Sequence, residues 1–126
     1  MSDAQTHYLA GLKLFGNEKH AEAIAEHEKA LELKPDWTDA MHALATSQSK
    51  LGNQELAIET VNKIIGLEPD DAFAYTSLSI FLMRQGKIPE AEAAGAKARM
   101  ISWKQELKTN PDAAPPKGMG DMDVIQ

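Results

Sequence analysis

Histidines are the residues of this chain best suited to binding a metal ion, and there are four of them: His7, His20, His27 and His42. A helical zinc site of the His-Glu-x-x-His kind needs two histidines four residues apart. No two histidines have that spacing. The chain also lacks cysteine, which excludes disulfides, thiolate catalysis and cysteine-ligated metal. We therefore expect no metal site and no cofactor.

Other catalytic arrangements are equally poorly represented. The four serines at positions 47, 49, 77 and 79 do not lie in a nucleophile elbow. There is no glycine-rich loop to hold a phosphate. The many glutamates fall in amphipathic segments, where a run of charge is normally a solvated helix face. We predict that the protein has no catalytic residues and is not an enzyme.

Charge and hydropathy narrow the class of partner. The 126 residues suit one domain, and their net charge is −6. A nucleic-acid or anionic membrane surface would call for a basic patch instead. The N-terminal stretch MSDAQTHYLAG is not a secretory signal, and no run of 18 apolar residues could form a transmembrane helix. We expect a cytoplasmic protein that binds neither nucleic acid nor membrane.

The elements that position these residues are predicted to be helices. Apolar residues recur at intervals of three and four, while alternating strand patterns are nearly absent. This periodicity predicts an all-α protein with six helices, separated by short breaks rich in glycine, proline, asparagine and aspartate. Such short connections make successive helices antiparallel. The predicted helices cover residues 4–17, 20–33, 38–51, 54–67, 72–85 and 88–101.

The breaks repeat with a fixed spacing. Pro35 and Pro69 are 69 − 35 = 34 residues apart, and Trp103 stands where a third proline would fall. Gly52 and Gly86 have the same separation, with Glu18 in the matching place of the first copy. A pair of helices of this length cannot bury its apolar face alone, but stacked copies can. Each proline ends the second helix of a pair because it lacks the N–H that the helix needs.

Small residues follow the same period, at Ala23, Ala57 and Ala91, and we expect them to let the two helices of a pair approach closely. With the prolines and glycines, these copies resemble the tetratricopeptide repeat family over about residues 4–103. The matching residues are Gly11, Ala23, Ala30 and Pro35 in the first copy; Met41, Leu44, Ala45, Gly52, Ala57 and Pro69 in the second; and Tyr75, Leu78, Ser79, Gly86, Ala91 and Ala98 in the third.

The resemblance implies a fold and a domain organisation. The fold is a right-handed superhelical stack of three helix-turn-helix hairpins. The repeats would occupy about residues 4–37, 38–71 and 72–105 of a domain spanning 1–108, followed by a tail at 109–126. Four residues depart from the family pattern: His7, His27, Val61 and Gly95 replace its larger aromatic side chains. These departures predict loose packing in the first copy and an open space beside Gly95.

The resemblance also implies a role as a protein-interaction scaffold. The first helices of the pairs would line a concave groove that holds a peptide or a helix of a partner protein. Family positions place these residues in the groove: Gln5, Tyr8, Leu12, Phe15, Asp39, His42, Thr46, Ser49, Lys50, Phe73, Thr76, Ile80, Met83 and Arg84. Several of the groove residues are apolar, so we expect the partner segment to have apolar anchors, although helical spacing is equally typical of core residues.

One well-known variant of the family binds the terminal carboxylate of chaperone tails through lysine and asparagine. Tyr8 and Leu12 occupy the corresponding places here, so that clamp is absent. Lys50 and Arg84 remain as cations, but both stand late in their helices, where a cation complements the helix dipole in any case. The partner is therefore predicted to be a different protein.

Family positions also bring His7 and His27 towards the same space between helices. They could bind a metal together, or they could replace two aromatic side chains. If both are buried together, protonation near the ordinary pKa of about 6.5 should lower stability.

The C-terminal region is the remaining site of interest. No break follows Ile101, so the sixth helix is expected to continue through Trp103 toward Leu107. The tail is predicted either to be disordered or to dock through Met119, Met122, Val124 and Ile125 on an apolar surface of this chain or of a second molecule. This leaves three functions open: an adaptor, a self-assembling module that forms a homodimer through this end, and a regulatory subunit of an enzyme complex.

Overall fold

A computed structural model describes residues 2–116 of the chain. This part contains six α-helices and no strand. The predicted all-α stack of three helix hairpins is confirmed, and the helix bounds match to within two residues except at the last helix, which extends to Leu107 as the missing break predicts. The helices are α1 (Asp3–Gly16), α2 (His20–Leu33), α3 (Thr38–Lys50), α4 (Gln54–Leu67), α5 (Ala72–Arg84) and α6 (Ile88–Leu107).

Capping side chains and left-handed residues define the ends of these helices. The Ser2 hydroxyl accepts a hydrogen bond from the backbone N–H of Gln5 at the start of α1. The turns inside the second and third pairs use Gly52 at φ 90° and Gly86 at φ 79°. Glu18, the residue at the equivalent place in the first pair, adopts φ 61° and so occupies a conformation that glycine would adopt with less strain.

Small residues bring the helices of each pair together. Ala23, Ala57 and Ala91 are fully buried, so their predicted packing role is confirmed. The main core lies in the second pair and extends into α5. It consists of Met41, Ala45, Ala57, Val61, Ile64, Ala74 and Phe81. Val61 is fully buried in this core, although the family pattern has an aromatic residue at its position.

In the first pair, a histidine occupies the position at which the family pattern has an aromatic residue. His27 is fully buried. A β-carbon added to Gly11 would lie 2.7 Å from its Nδ1 and 2.8 Å from its Nε2. The imidazole therefore occupies the space that the missing side chain of Gly11 leaves, and packing between α1 and α2 is tight here. The expectation of a loosely packed first copy was wrong at this contact, because glycine and histidine compensate for each other's size.

None of the six helices in the described part of the chain is both long and apolar enough to cross a membrane.

Candidate partner-binding groove

A groove of about 510 Å³ opens between the first helices of the three pairs and the turn that precedes α5. We call it the central groove. It brings together five of the residues predicted to contact a partner, namely Tyr8, Asp39, His42, Thr46 and Phe73. Its other lining residues are Thr38, Ala43, Glu68 and Asp71.

Asp71 fixes the geometry on one side of the central groove. Its carboxylate caps α5 by accepting a hydrogen bond of 3.1 Å from the backbone N–H of Ala74. The same carboxylate lies 2.8 Å from Nε2 of His42 on α3. The His42 ring in turn meets Phe73 edge-on, with 4.9 Å between the ring centroids. One carboxylate therefore positions two of the predicted groove residues.

Tyr8 forms the opposite wall. Its ring lies 4.7 Å from that of Trp37, measured between centroids, and the Lys34 ammonium lies 4.6 Å over the same indole. Burial, together with the negative charge of Asp39, raises the pKa of Tyr8 above its usual value. The phenol is therefore neutral at physiological pH, and its hydroxyl can donate a hydrogen bond into the groove.

The central groove is acidic. Asp39, Glu68 and Asp71 line it, while the described residues that form its walls include no lysine or arginine. A second depression of about 510 Å³ continues past Phe73 and adds Asp70. Phe73, whose exposed fraction is 62%, thus stands between two acidic surfaces.

Below the central groove lies a small apolar pocket of about 170 Å³. Leu12 and Phe15, both predicted groove residues, form its walls together with His27, Ala43 and Thr46. Ala43 and Thr46 also line the central groove, so the two spaces adjoin along α3. This pocket lies between the first pair and α3 rather than between α1 and α2.

The remaining predicted groove residues lie elsewhere. Gln5, Lys50, Met83 and Arg84 are exposed and line none of these spaces. Arg84 donates a hydrogen bond from Nη1 to the hydroxyl of Ser49, which is itself buried. At the far end, the side-chain amide of Gln105 donates a 3.0 Å hydrogen bond to the Asp70 carbonyl. The second and third pairs are therefore linked by several polar contacts.

Thr76 and Ile80 face a different surface, which we call the terminal groove. It has a volume of about 540 Å³, lies between α5 and α6, and includes Gly95 in its wall. A β-carbon added to Gly95 would lie 3.3 Å from both Arg99 Nη1 and Ser79 Oγ, so the predicted open space is partly filled directly beside Gly95. The family positions imply a place for Thr76 and Ile80 in the concave groove, but both line this terminal groove between α5 and α6 instead.

The described part of the tail runs along the terminal groove. The Trp103 indole N–H donates a 3.0 Å hydrogen bond to the carbonyl of Ala113, and Ala114 and Pro116 line the groove. The side chains predicted to dock, Met119, Met122, Val124 and Ile125, lie outside the described residues. Their docking stays a prediction.

The four histidines make separate contacts. His7 Nδ1 lies 2.6 Å from Glu26 Oε2, and this hydrogen bond lowers the pKa of Glu26. His20 packs edge-on against Phe15, with 4.9 Å between centroids. Burial lowers the pKa of His27, and neither of its ring nitrogens has a hydrogen-bond partner. In the described part of the chain, no group of three or more potential ligands is arranged to hold a metal ion.

Sequence reasoning missed Glu68 and Asp71 as groove residues. Both lie close to Pro69, where the sequence pattern by itself indicates only a helix boundary. Aspartate directly before a predicted helix is a common N-cap, and this signal could have placed Asp71 beside the groove.

Comparison with known proteins agrees with this architecture. A family model described as Tetratricopeptide repeat matches residues 14–79. The chain belongs to the tetratricopeptide repeat family. Membership supports a general role in protein interaction, and such modules are typically non-catalytic.

Several known proteins are similar to this chain in sequence or structure. The DnaJ homolog subfamily C member 3 of Mus musculus is 29% identical over 110 residues, covering 87% of this chain and 20% of the relative. A crystal structure of MamA superposes with a TM-score of 0.78 at 26% identity, covering 82% of this chain and 61% of MamA. The first repeat domain of Spaghetti (RPAP3), bound to the HSP90 peptide SRMEEVD, has a TM-score of 0.73 at 20% identity, covering 87% of this chain and 81% of that one. The chain therefore spans only part of the first two relatives.

Proposed function

We propose that the protein is a cytoplasmic, non-catalytic adaptor that binds a peptide or helix of a partner protein in the groove formed by α1, α3 and α5. The observation that supports this function is the arrangement of Tyr8 and Phe73 on opposite sides of the central groove. Aromatic side chains in such positions commonly anchor a partner, since they bury a large apolar area at little cost in conformational entropy.

The preformed shape of the groove also favours binding. The His42–Asp71 hydrogen bond and the Tyr8–Trp37 contact hold its walls in place. A site that is already ordered loses little conformational entropy when the partner binds. Phe73 is 62% exposed, and so large an exposed apolar surface beside a concave groove is typical of an interaction site.

The fold neighbour RPAP3 binds an HSP90 peptide, which supports peptide binding by this type of domain. Tyr8 and Leu12 occupy the places at which the chaperone-binding variant has its polar clamp. We therefore propose a partner other than a chaperone tail.

Replacement of Phe73 by alanine tests the function. Leu56→Ala is a matched control, because Leu56 is also exposed and lies on α4 outside the groove. Both variants should retain the unfolding midpoint of the wild type. Partner proteins that co-purify with the wild type from its native cell should be lost with Phe73→Ala and kept with Leu56→Ala. Equal recovery of the same partners by both variants would contradict binding in the central groove.

A second candidate function is self-assembly through the terminal groove. Its support is the volume of about 540 Å³ left open between α5 and α6, beside Trp103. Light scattering on the full chain and on a chain ending at Asn110 tests it. A dimer that becomes a monomer on truncation would favour self-assembly, whereas two monomers would leave the adaptor function.

A further inference from the structure

The geometry points to a partner segment with two recognition elements: a lysine or arginine that enters the central groove, and a leucine- or phenylalanine-sized side chain that fills the apolar pocket about 10 Å away. This inference rests on the proposed function and adds the chemistry of the ligand to it. Separate observations on two adjoining spaces support the two elements.

Charge and aromatic surface select the cation. Asp71 already accepts hydrogen bonds from His42 and from the backbone of α5. Asp39 and Glu68 are the exposed carboxylates of the groove, and they are placed to form ion pairs with a ligand. Tyr8 and Phe73 add ring faces against which an ammonium or guanidinium group can pack. An acidic ligand would be repelled by the same surface.

The size of the apolar pocket selects the second side chain. Its volume is about 170 Å³. An apolar cavity of about 150 Å³ is large enough to hold benzene, so this pocket can hold one leucine or phenylalanine side chain. Leu12 and Phe15 give it an apolar wall, and the ring nitrogens of His27 are buried against Gly11 rather than available to a ligand.

Helix α3 sets the distance between the two elements. Asp39 lies in its first turn and Thr46, which borders both the central groove and the pocket, lies seven residues later. A helix rises about 1.5 Å per residue, so these positions are about 10 Å apart along the axis. A helical partner would match this distance with residues at i and i+7. An extended partner would match it with residues at i and i+3, because a strand rises about 3.3 Å per residue.

Peptide display on the full chain tests this inference. Random twelve-residue peptides are selected on the wild type, with counter-selection on Phe73→Ala. We expect enriched peptides that carry a lysine or arginine at position i and a leucine or phenylalanine at position i+3 or i+7. The affinities of synthetic copies are then measured by fluorescence anisotropy. The acidic peptide SRMEEVD, bound by the similar RPAP3 domain, serves as the negative control.

Variants of the chain separate the two recognition elements. Asp39→Asn combined with Glu68→Gln should weaken the selected peptide about tenfold at low ionic strength and reduce the salt dependence of binding. Leu12→Ala should weaken it without changing the salt dependence. Changing the cation of the peptide to glutamate should abolish binding to the wild type.

The outcomes distinguish this inference from the proposed function. The selected peptides could require Phe73 but show no excess of lysine or arginine, and could bind the Asp39→Asn, Glu68→Gln variant as tightly as the wild type. That result would overturn the inference and would still support the proposed function. A failure to enrich any peptide that requires Phe73 would overturn both. A dimer of the wild type that dissociates on Phe73→Ala would show that a second copy occupies the groove, which would also overturn the inference.

Discussion

Replacement of Glu18 by glycine is expected to stabilise the fold. Glu18 has φ 61°, in the left-handed region, at the place where the other two pairs have Gly52 and Gly86. A residue with a β-carbon is disfavoured there by about 1–2 kcal/mol. Glycine has a more flexible unfolded state, which offsets about 0.5–1 kcal/mol of the gain. The net stabilisation should therefore be about 0.5–1 kcal/mol.

The structure indicates that little else changes with this substitution. Glu18 is exposed, and its backbone N–H keeps the 2.9 Å hydrogen bond to the Phe15 carbonyl whatever the side chain. Thermal unfolding followed by circular dichroism measures the effect. For a chain of this size, 0.5–1 kcal/mol corresponds to a rise in Tm of about 2–5 °C.

Two further variants test the reasoning. Glu18→Ala removes the carboxylate but retains the β-carbon, so it should bring none of the gain in stability. Gly52→Ala introduces a β-carbon at φ 90° and should lower stability by about 0.5–1 kcal/mol, once the lower conformational freedom of alanine in the unfolded state is subtracted. A lower Tm for Glu18→Gly, or an equal gain for Glu18→Ala, would refute the conformational explanation.

Three other predictions concern the first pair and the tail. Gly11→Ala places a β-carbon 2.7 Å from Nδ1 of His27 and should cost about 1–3 kcal/mol in urea denaturation, whereas an unchanged midpoint would show that the ring can move away. Burial lowers the pKa of His27, so the folded state binds fewer protons than the unfolded state and stability falls as pH drops below about 6.5. The unfolding free energy of His27→Leu should therefore fall less between pH 7.5 and pH 5.5 than that of the wild type, and parallel curves would contradict this. In a Trp37→Phe background, ending the chain at Asn110 should shift Trp103 fluorescence and cost about 0.5–1.5 kcal/mol, because the hydrogen bond to Ala113 is lost. A chain ending at Pro116 keeps that bond and is the control, so equal spectra for the two would count against the contact.

The regular features of the fold were predictable because they depend on local sequence. Periodic apolar residues give the six helices, and the buried alanines at positions 23, 57 and 91 follow from the need for close helix contacts. Part of the central groove could be predicted from the family resemblance, which implies groove positions for Tyr8, His42 and Phe73 on successive first helices.

The exceptions arise from contacts between residues that are distant in the sequence. The burial of His27 depends on the absence of a side chain at Gly11, which a comparison of single positions does not reveal. Glu68 and Asp71 enter the groove from a turn, where helical periodicity gives no information. Thr76 lines the terminal groove between α5 and α6, although it lies 76 − 42 = 34 residues after His42, which lines the central groove.

The double role of the Asp71 carboxylate has a consequence for how the array opens. It joins α3 to the start of α5, and the Arg84–Ser49 and Gln105–Asp70 hydrogen bonds reinforce the same junction. In an array where each pair touches only its neighbours, the second and third pairs should then unfold as one unit. The first pair packs on the second through aromatic and apolar contacts, among them Tyr8 with Trp37 and Leu31 with the core of the second pair. We expect this junction to open before the one that the polar contacts join. Such opening removes one wall of the central groove. A bound partner should therefore slow amide hydrogen exchange most strongly in α1 and α2, because binding stabilises the contact between the first pair and the rest of the array.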